Sequence, residues 1–406
     1  MKFAQLFWSS ALLLPCALGQ PHASSALGGS ARPFETPFAR VQRDLEDMVA
    51  EGQALAVEAS VQVGDKLIFQ GRAGWRDAEG GDELAEGAIF RIFSMTKPIT
   101  AVAALTFLDE GLLALDDPVS KFLPALADVK VKGRRKQPDQ ALERPILILD
   151  LFRHSAGWDE ATPWQRVARE RGASHANLEQ LVDALSSLPL KCQPGTRWEY
   201  SIAHDVLGRV IEVLAEKPLD EVFLERIFEP LEMLDTGFQV PEGDLDRVVA
   251  LFVEQGGELV PVPPGEVPDP AQPPAWFAGG HGLFSTSADF LRFTAMLRGG
   301  GKLGDERILN PETVKLMLRD HTAGLKIRGS ALMGRGYGLG VAVHTNRSWG
   351  LSPGSWGWSG AAGTMFFVDP EVELTMLFMN QNWLDFESPW RFAEKAGKAL
   401  EELAGK

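Results

Sequence analysis

The stretch FSMTKPITAV, residues 93–102, sets Ser94 and Lys97 three positions apart at the mouth of an apolar run. From Ile99 to Leu108 there is no charged residue, so Lys97 leads into a helix with the character of a core element. Positions i and i+3 share a helix face, which lets the Ser94 hydroxyl meet the Lys97 amine. Pro98 is tolerated best in a first helical turn, which puts Ser94 near the helix N-terminus. Backbone N–H groups and positive dipole character gather there and favour a developing negative charge. A hydroxyl is a weak nucleophile until a neighbour takes its proton, and a desolvated lysine can belong to that proton network. No other lysine in the chain has a serine three residues before it. The plain alternative is a helix cap followed by a lysine that snorkels to solvent.

Two further segments bear on that choice. Of the two tyrosines, Tyr200 lies in QPGTRWEYSIAHDVLGRVIE, residues 193–212, where a Pro-Gly turn leads through an aromatic stretch into a helix. An ammonium beside a phenol favours the phenolate, so Tyr200 next to Lys97 could accept the Ser94 proton and return it to a leaving group. Its alternative is a core aromatic with a satisfied hydroxyl. The third segment, GWSGAAGTMFF at residues 357–367, approaches a strand through small residues and leaves room for a substrate against the backbone. The N–H of Ala361 could join that of Ser94 to hold an oxyanion, a donor whose loss typically costs about 10²–10³ in rate. The alternative is a tight turn entering a hairpin.

Strand-like runs in VEASVQVGDKLIFQGRAGW, residues 57–75, flank Gly64-Asp65, a hairpin turn signal. A second hairpin is expected around Asp369-Pro370-Glu371 in GTMFFVDPEVELTMLFMN, residues 363–380, and helices at ARVQRDLEDMVAEG and RFAEKAGKALEELA, residues 39–52 and 391–404. Between about 116 and 280, segments such as NLEQLVDALSSL and SIAHDVLGRVIEVLAE carry helical periodicity. Strands at both ends and helices between predict an α+β fold: an antiparallel sheet flanked by helices, assembled from residues 37–115 and 280–406, with a mostly helical region, 116–279, inserted. The Pro-rich segment 261–276 reads as a loop at the boundary, and no repeat is visible.

At 406 residues, 45% hydrophobic and 23% charged, the composition is that of a globular protein. A formal charge of −15 argues against nucleic acid as a partner. The one basic cluster, KVKGRRK at 130–136, reads as a solvated loop. The opening MKFAQLFWSSALLLPCALGQ matches a cleavable secretory signal over residues 1–19, followed by a Ser/Ala/Gly/Pro linker over 20–36, and predicts a secreted or periplasmic protein with no membrane span after cleavage. Only Cys192 then remains, which rules out an internal disulfide. No Cys/His spacing suits zinc, so no metal or other cofactor is expected.

The three motifs, S-M-T-K at 94–97, Y-S-I at 200–202 and W-S-G at 358–360, resemble in that order the serine β-lactamase and penicillin-recognising superfamily. The nearest likeness is to class C β-lactamases and family VIII carboxylesterases. FRIFSMTKPITAVAALTFLDEGLLALDDPVSKFLP, LDLFRHSAGW, PGTRWEYS, IFEPLEMLDTGF and GGHGLFSTSADFLRF are similar to that family's segments, and the likeness runs over roughly residues 40–400. It implies Ser94 as acyl-enzyme nucleophile, Lys97 as its proton partner, Tyr200 as general base, and Trp358, Ser359, Gly360, Ala361 and Ile202 around substrate and oxyanion. Two departures bear on substrate. The second motif ends in Ile202 where the β-lactamase pattern has an amide, and the third begins with Trp358 where it has a lysine. An indole carries one N–H and no charge. Both changes favour an ester with a short or hydrophobic acyl group over an anionic lactam, with a small-molecule ester or amide as partner. β-Lactamase, D-amino-acid peptidase or acyl transferase activity on the same residues, and an idle peptidoglycan- or partner-binding relative, are the other expectations. Trp276, Trp349, Trp356, Trp383 and Trp390 are candidates for an acyl pocket or the core, and His154 and Ser155 are expected to shape a turn. With no G-x-S-x-G present, an α/β-hydrolase nucleophile is not indicated.

Overall fold

The computed structural model describes residues 36–77, 81–133, 137–158, 177–263, 265–327, 332, 334–347 and 350–405. The expected signal segment, Trp349, most of the linker and the RRK of the basic cluster lie outside these residues.

A seven-stranded antiparallel sheet forms the frame. Its strands are β1 (Ala56–Val63), β2 (Lys66–Gly74), β3 (Gly336–Tyr337), β4 (Ala342–Val343), β5 (Trp356–Ser359), β6 (Met365–Asp369) and β7 (Leu374–Asn380). They lie in the order β3-β4-β5-β6-β7-β1-β2, so the N-terminal hairpin completes a sheet begun by the C-terminal strands. The register pairs Ala59 with Phe378 across the seam. Both expected hairpins form: β1 turns into β2 through Gly64-Asp65, and β6 into β7 through residues 370–373, where Glu373 takes φ +51°.

Period-two alternation sends successive side chains to opposite faces. Val57, Ala59, Val61, Met376 and Phe378 meet the amphipathic terminal helices α1 (Pro37–Ala50) and α7 (Ser388–Leu403), through Leu45, Met48, Phe392 and Ala396. The two helices are further tied by Arg391, whose Nη2 and Nε donate to Asp44 at 2.7 and 3.0 Å. Leu377, Met379, Phe366 and Val368 face the other way, into the main core. There they share a cluster with Phe290 and Phe293 of α6 (Ser287–Arg298) and with α2 (Thr96–Asp109).

Helix α2 is apolar on all sides, and every residue from Thr96 to Phe107 is buried. Such a helix must be surrounded by protein. The mostly helical middle of the chain supplies the cover, through α3 (Ile148–Phe152), α4 (Leu178–Ser186) and α5 (Ala203–Ala215). Helix α5 lies against α2 with Val206, Leu207, Val210 and Ile211 buried. Among the described residues no helix is long and apolar enough to cross a membrane. Pro261 ends a short strand, Glu258–Pro261; the described remainder of the Pro-rich segment is a loop, stitched to the body by Val240 N–H to Pro270 O at 2.9 Å and Arg91 Nη2 to Pro268 O at 2.7 Å.

Candidate active site

Ser94 sits in a 3₁₀ turn, Phe93–Met95, that runs straight into α2. The turn is held from both sides. Ile92 N–H donates to Leu283 O at 3.0 Å, and Leu283 N–H returns a bond to Thr96 Oγ1 at 3.2 Å. Thr100 Oγ1 donates to Gly279 O at 2.5 Å. Phe93 has φ +42°, a left-handed conformation that costs a bulky residue of order 1–3 kcal/mol. Its ring meets Trp383 edge-on at 4.8 Å and packs with Leu251 and Ala362, which hold it in place.

Lys97 is 1% exposed. Its Nζ donates to Ser94 Oγ at 3.0 Å and to Gly280 O at 2.8 Å. It also lies 4.6 Å from the centroid of the Tyr200 ring. The hydroxyl, the amine and the phenol, drawn from distant parts of the chain, therefore converge. Ser94 and Tyr200 are both half-buried, as a group that meets a substrate must be.

Tyr200 stands in an aromatic box. The His154 ring lies 4.5 Å from it, Trp358 5.6 Å and Trp198 6.0 Å. Tyr337, the other tyrosine, meets Trp358 edge-on at 5.1 Å and is wholly buried. Burial, with Tyr200 nearby, pushes the Tyr337 phenol well above its ordinary value, so it stays protonated, and it is the Tyr200 ring that lies beside Lys97 Nζ.

The imidazoles around Lys97 are neutral. Burial holds His154 well below the ordinary histidine value, with His204 and Lys97 adding to the effect. His204 is lowered likewise by burial and Lys97, and His281 falls to about 4 for the same two reasons. His154 has φ +55° in the turn after α3, and its Nδ1 accepts Ser201 N–H at 3.2 Å, which puts the proton on Nε2. That turn is braced by Asp150, fully buried, which accepts from Arg144 at 2.6 and 2.9 Å and from Ser155 Oγ at 2.6 Å. His154 and Ser155 thus shape a turn, as expected, yet His154 also backs Tyr200.

The third motif closes the site. Strand β5 ends at Ser359, because Gly360 N–H turns to Thr364 O at 2.8 Å, so Ala361 lies just beyond the strand rather than in it. The Ala361 carbonyl accepts Leu384 N–H at 2.6 Å. A Cβ at Gly360 would come within 2.4 Å of Ile92 O and 2.2 Å of Thr364 Oγ1. Glycine there lets the third motif lie directly against the turn that carries Ser94.

Trp358 is buried at 6% exposure between Tyr200 and Tyr337. Ile202 precedes α5 and is buried in the main core. Of the other tryptophans, Trp356 is core, Trp383 braces Phe93, and Trp390 packs on Phe367 among the outer-face residues. Trp276 lines a separate pocket of about 510 Å³ with Arg209, Glu212 and Lys217. The contributions of His204, Asp205, Gly280 and His281 were not singled out from the sequence. The available signal was an acid and a histidine inside the apolar stripe of the helix that follows Tyr200.

A family model described as Beta-lactamase matches residues 41–395. Protein Rv1367c of Mycobacterium tuberculosis is 34% identical over 84% of this chain and 88% of its own. Esterase EstB of Burkholderia gladioli is 29% identical over 84% of this chain and 89% of its own. The solved structure of EstCE1, a hydrolase with promiscuous acyltransferase activity, superposes with a TM-score of 0.75 at 25% identity, covering 90% of this chain and 98% of that one. A strained serine turn, a buried lysine and a facing tyrosine thus meet on an α+β frame shared with hydrolase and esterase relatives. The chain belongs to the β-lactamase family.

Proposed function

We propose that the protein is a serine carboxylesterase that cleaves esters of short or hydrophobic acyl groups through an acyl-enzyme on Ser94. The observation that carries this reading is the position of Lys97 Nζ, 3.0 Å from Ser94 Oγ and 4.6 Å from the Tyr200 ring centroid. The ammonium favours the phenolate, and the phenolate takes the Ser94 proton as Oγ attacks the ester carbonyl. The N–H groups of Ser94 and Ala361 hold the oxyanion. Collapse breaks the carbon–oxygen bond to the alcohol, and Tyr200 gives the proton to the departing oxygen. A water then loses its proton to Tyr200, attacks the acyl carbon and releases the acid, and the proton returns to Ser94.

Substrate class follows from two side chains. Trp358 offers an apolar wall where a cation would attract a carboxylate, and Ile202 turns into the core where an amide would bind a peptide-like side chain. The esterase relative supports the same choice. Export through the N-terminal signal, with release of the mature chain to periplasm or medium, completes the proposal.

A short-chain nitrophenyl ester and a chromogenic cephalosporin, compared at equal enzyme, test the reading. Ester turnover should dominate, and Ser94→Ala should lose at least about 10⁴ in kcat. Faster turnover of the cephalosporin would make the protein a β-lactamase. Failure of a fluorophosphonate to modify Ser94 would point to a non-catalytic relative.

A further inference from the structure

We propose that Asp205 is the positioning residue for Lys97: its buried carboxylate, acting through Gly280 and as the negative charge across from the ammonium, holds the amine against Ser94. This inference rests on the reading of Ser94 as nucleophile.

A buried ammonium needs both hydrogen bonds and a counter-charge, since taking a lone ion out of water is costly. The groups that face Lys97 come from four directions. Helix α2 and its leading turn supply Ser94; the segment before α6 supplies Gly280 O and His281; the turn after α3 supplies His154; the lead into α5 supplies Tyr200, and its first turn supplies His204 and Asp205. The three imidazoles are neutral, so Asp205 is the acid of this set.

The geometry joins acid to amine through one residue. Gly280 N–H donates to Asp205 Oδ1 at 3.4 Å, and Gly280 O accepts from Lys97 Nζ at 2.8 Å. A Cβ built on Gly280 would lie 2.6 Å from Asp205 Oδ2 and 3.6 Å from Lys97 Nζ, so glycine is what lets the two charges approach from either side of it. Asp205 is 2% exposed and stands in the first turn of α5, where a helix N-terminus favours a carboxylate. The same six-residue span, Tyr200 to Asp205, thus delivers the phenol and the carboxylate to one lysine.

The test is the rate of fluorophosphonate labelling of Ser94 as a function of pH, which reads activation of the hydroxyl whatever the natural substrate. Asp205→Asn keeps the size and the acceptor for Gly280 but removes the charge. Its labelling should be at least tenfold slower at neutral pH, and the alkaline limb of the profile should move down by about one pH unit, with thermal unfolding still cooperative. A residue needed only to brace the Gly280 loop would leave that profile unmoved, and such a result overturns the inference. Should the Asn variant not fold, Gly280→Ala delivers the same displacement from the other side, and labelling as fast as in the parent overturns it equally. A parent protein that is not labelled at all removes the nucleophile itself, and this inference with it, an outcome distinct from either variant's.

Discussion

Adding one methyl group at Gly360 tests the oxyanion geometry directly. In Gly360→Ala the new Cβ would sit 2.4 Å from Ile92 O and 2.2 Å from Thr364 Oγ1. Ordinary contact begins near 3.4 Å, so the gap is about 1 Å too small at the backbone oxygen, and that oxygen already accepts Met95 N–H at 3.0 Å. Something must retreat. The free end is the third motif, since the Ser94 turn is pinned by Leu283 and Thr96. A retreat of about 1 Å carries the Ala361 N–H away from the proposed oxyanion position, and a displacement of that size can cost about 10² in rate. Outright loss of one donor costs about 10²–10³, equivalent to about 2.7–4 kcal/mol of transition-state stabilisation. Overpacking should lower stability by only about 1–3 kcal/mol. Steady-state hydrolysis of a nitrophenyl ester with a parallel thermal melt is the assay. The expected result is a 10²-fold or larger fall in kcat, little change in KM, and a folded protein. A folded variant with kcat within threefold of the parent would refute the assignment of Ala361 to the oxyanion.

His154 and His204 are held neutral by burial, so the unfolded chain takes up protons that the native state does not. Stability should be full above about pH 6.5 and fall below it by about 1.4 kcal/mol per pH unit for each ring; urea midpoints at pH 7.5 and 5.5 measure this, and His204→Leu should flatten the slope. Asp150→Ala strips the acceptor from Arg144, Arg153 and Ser155 beneath the His154 turn and should cost about 3–5 kcal/mol by denaturant titration. Trp358→Ala removes a buried wall of the Tyr200 box; KM for long-chain esters should rise more than KM for acetate esters, and an equal change for both would remove the indole from acyl recognition. N-terminal sequencing of protein recovered from outside the cytoplasm should begin at Gln20; an intact Met1 there would contradict the signal reading.

What could be read from the chain was local chemistry with a fixed spacing. Ser94 and Lys97 meet because three residues of helix bring them together, and Gly64-Asp65 turns a hairpin because its backbone suits that turn. Strand-rich ends with helices between them foretold a sheet closed by both termini. What could not be read was contact between distant segments. Asp205 and Gly280 are 75 positions apart and touch only because α5 packs on α2 while Thr100 anchors residue 279. The left-handed Phe93 is imposed by Trp383 and its neighbours, and nothing in the local sequence announces it. The tryptophans divide among core, brace and separate pocket by tertiary position alone, which composition cannot supply. Ala361 falls outside its strand because Gly360 spends its N–H on Thr364, a choice made by the turn.

The seam between β1 and β7 has a consequence for how the molecule comes into being. Residues 57–63 pair on one side with the adjoining strand β2 but find their partners on the other side only at 374–380, and Ser94 lies in the interval between. During synthesis the first hairpin must therefore wait, with its outer edge unsatisfied, until nearly the whole polypeptide has emerged. A chain cut short before its last strand would lack the docking surface that completes the frame, and with it Trp383, the brace behind the serine. The frame around Ser94 is thus complete only once the ends have met.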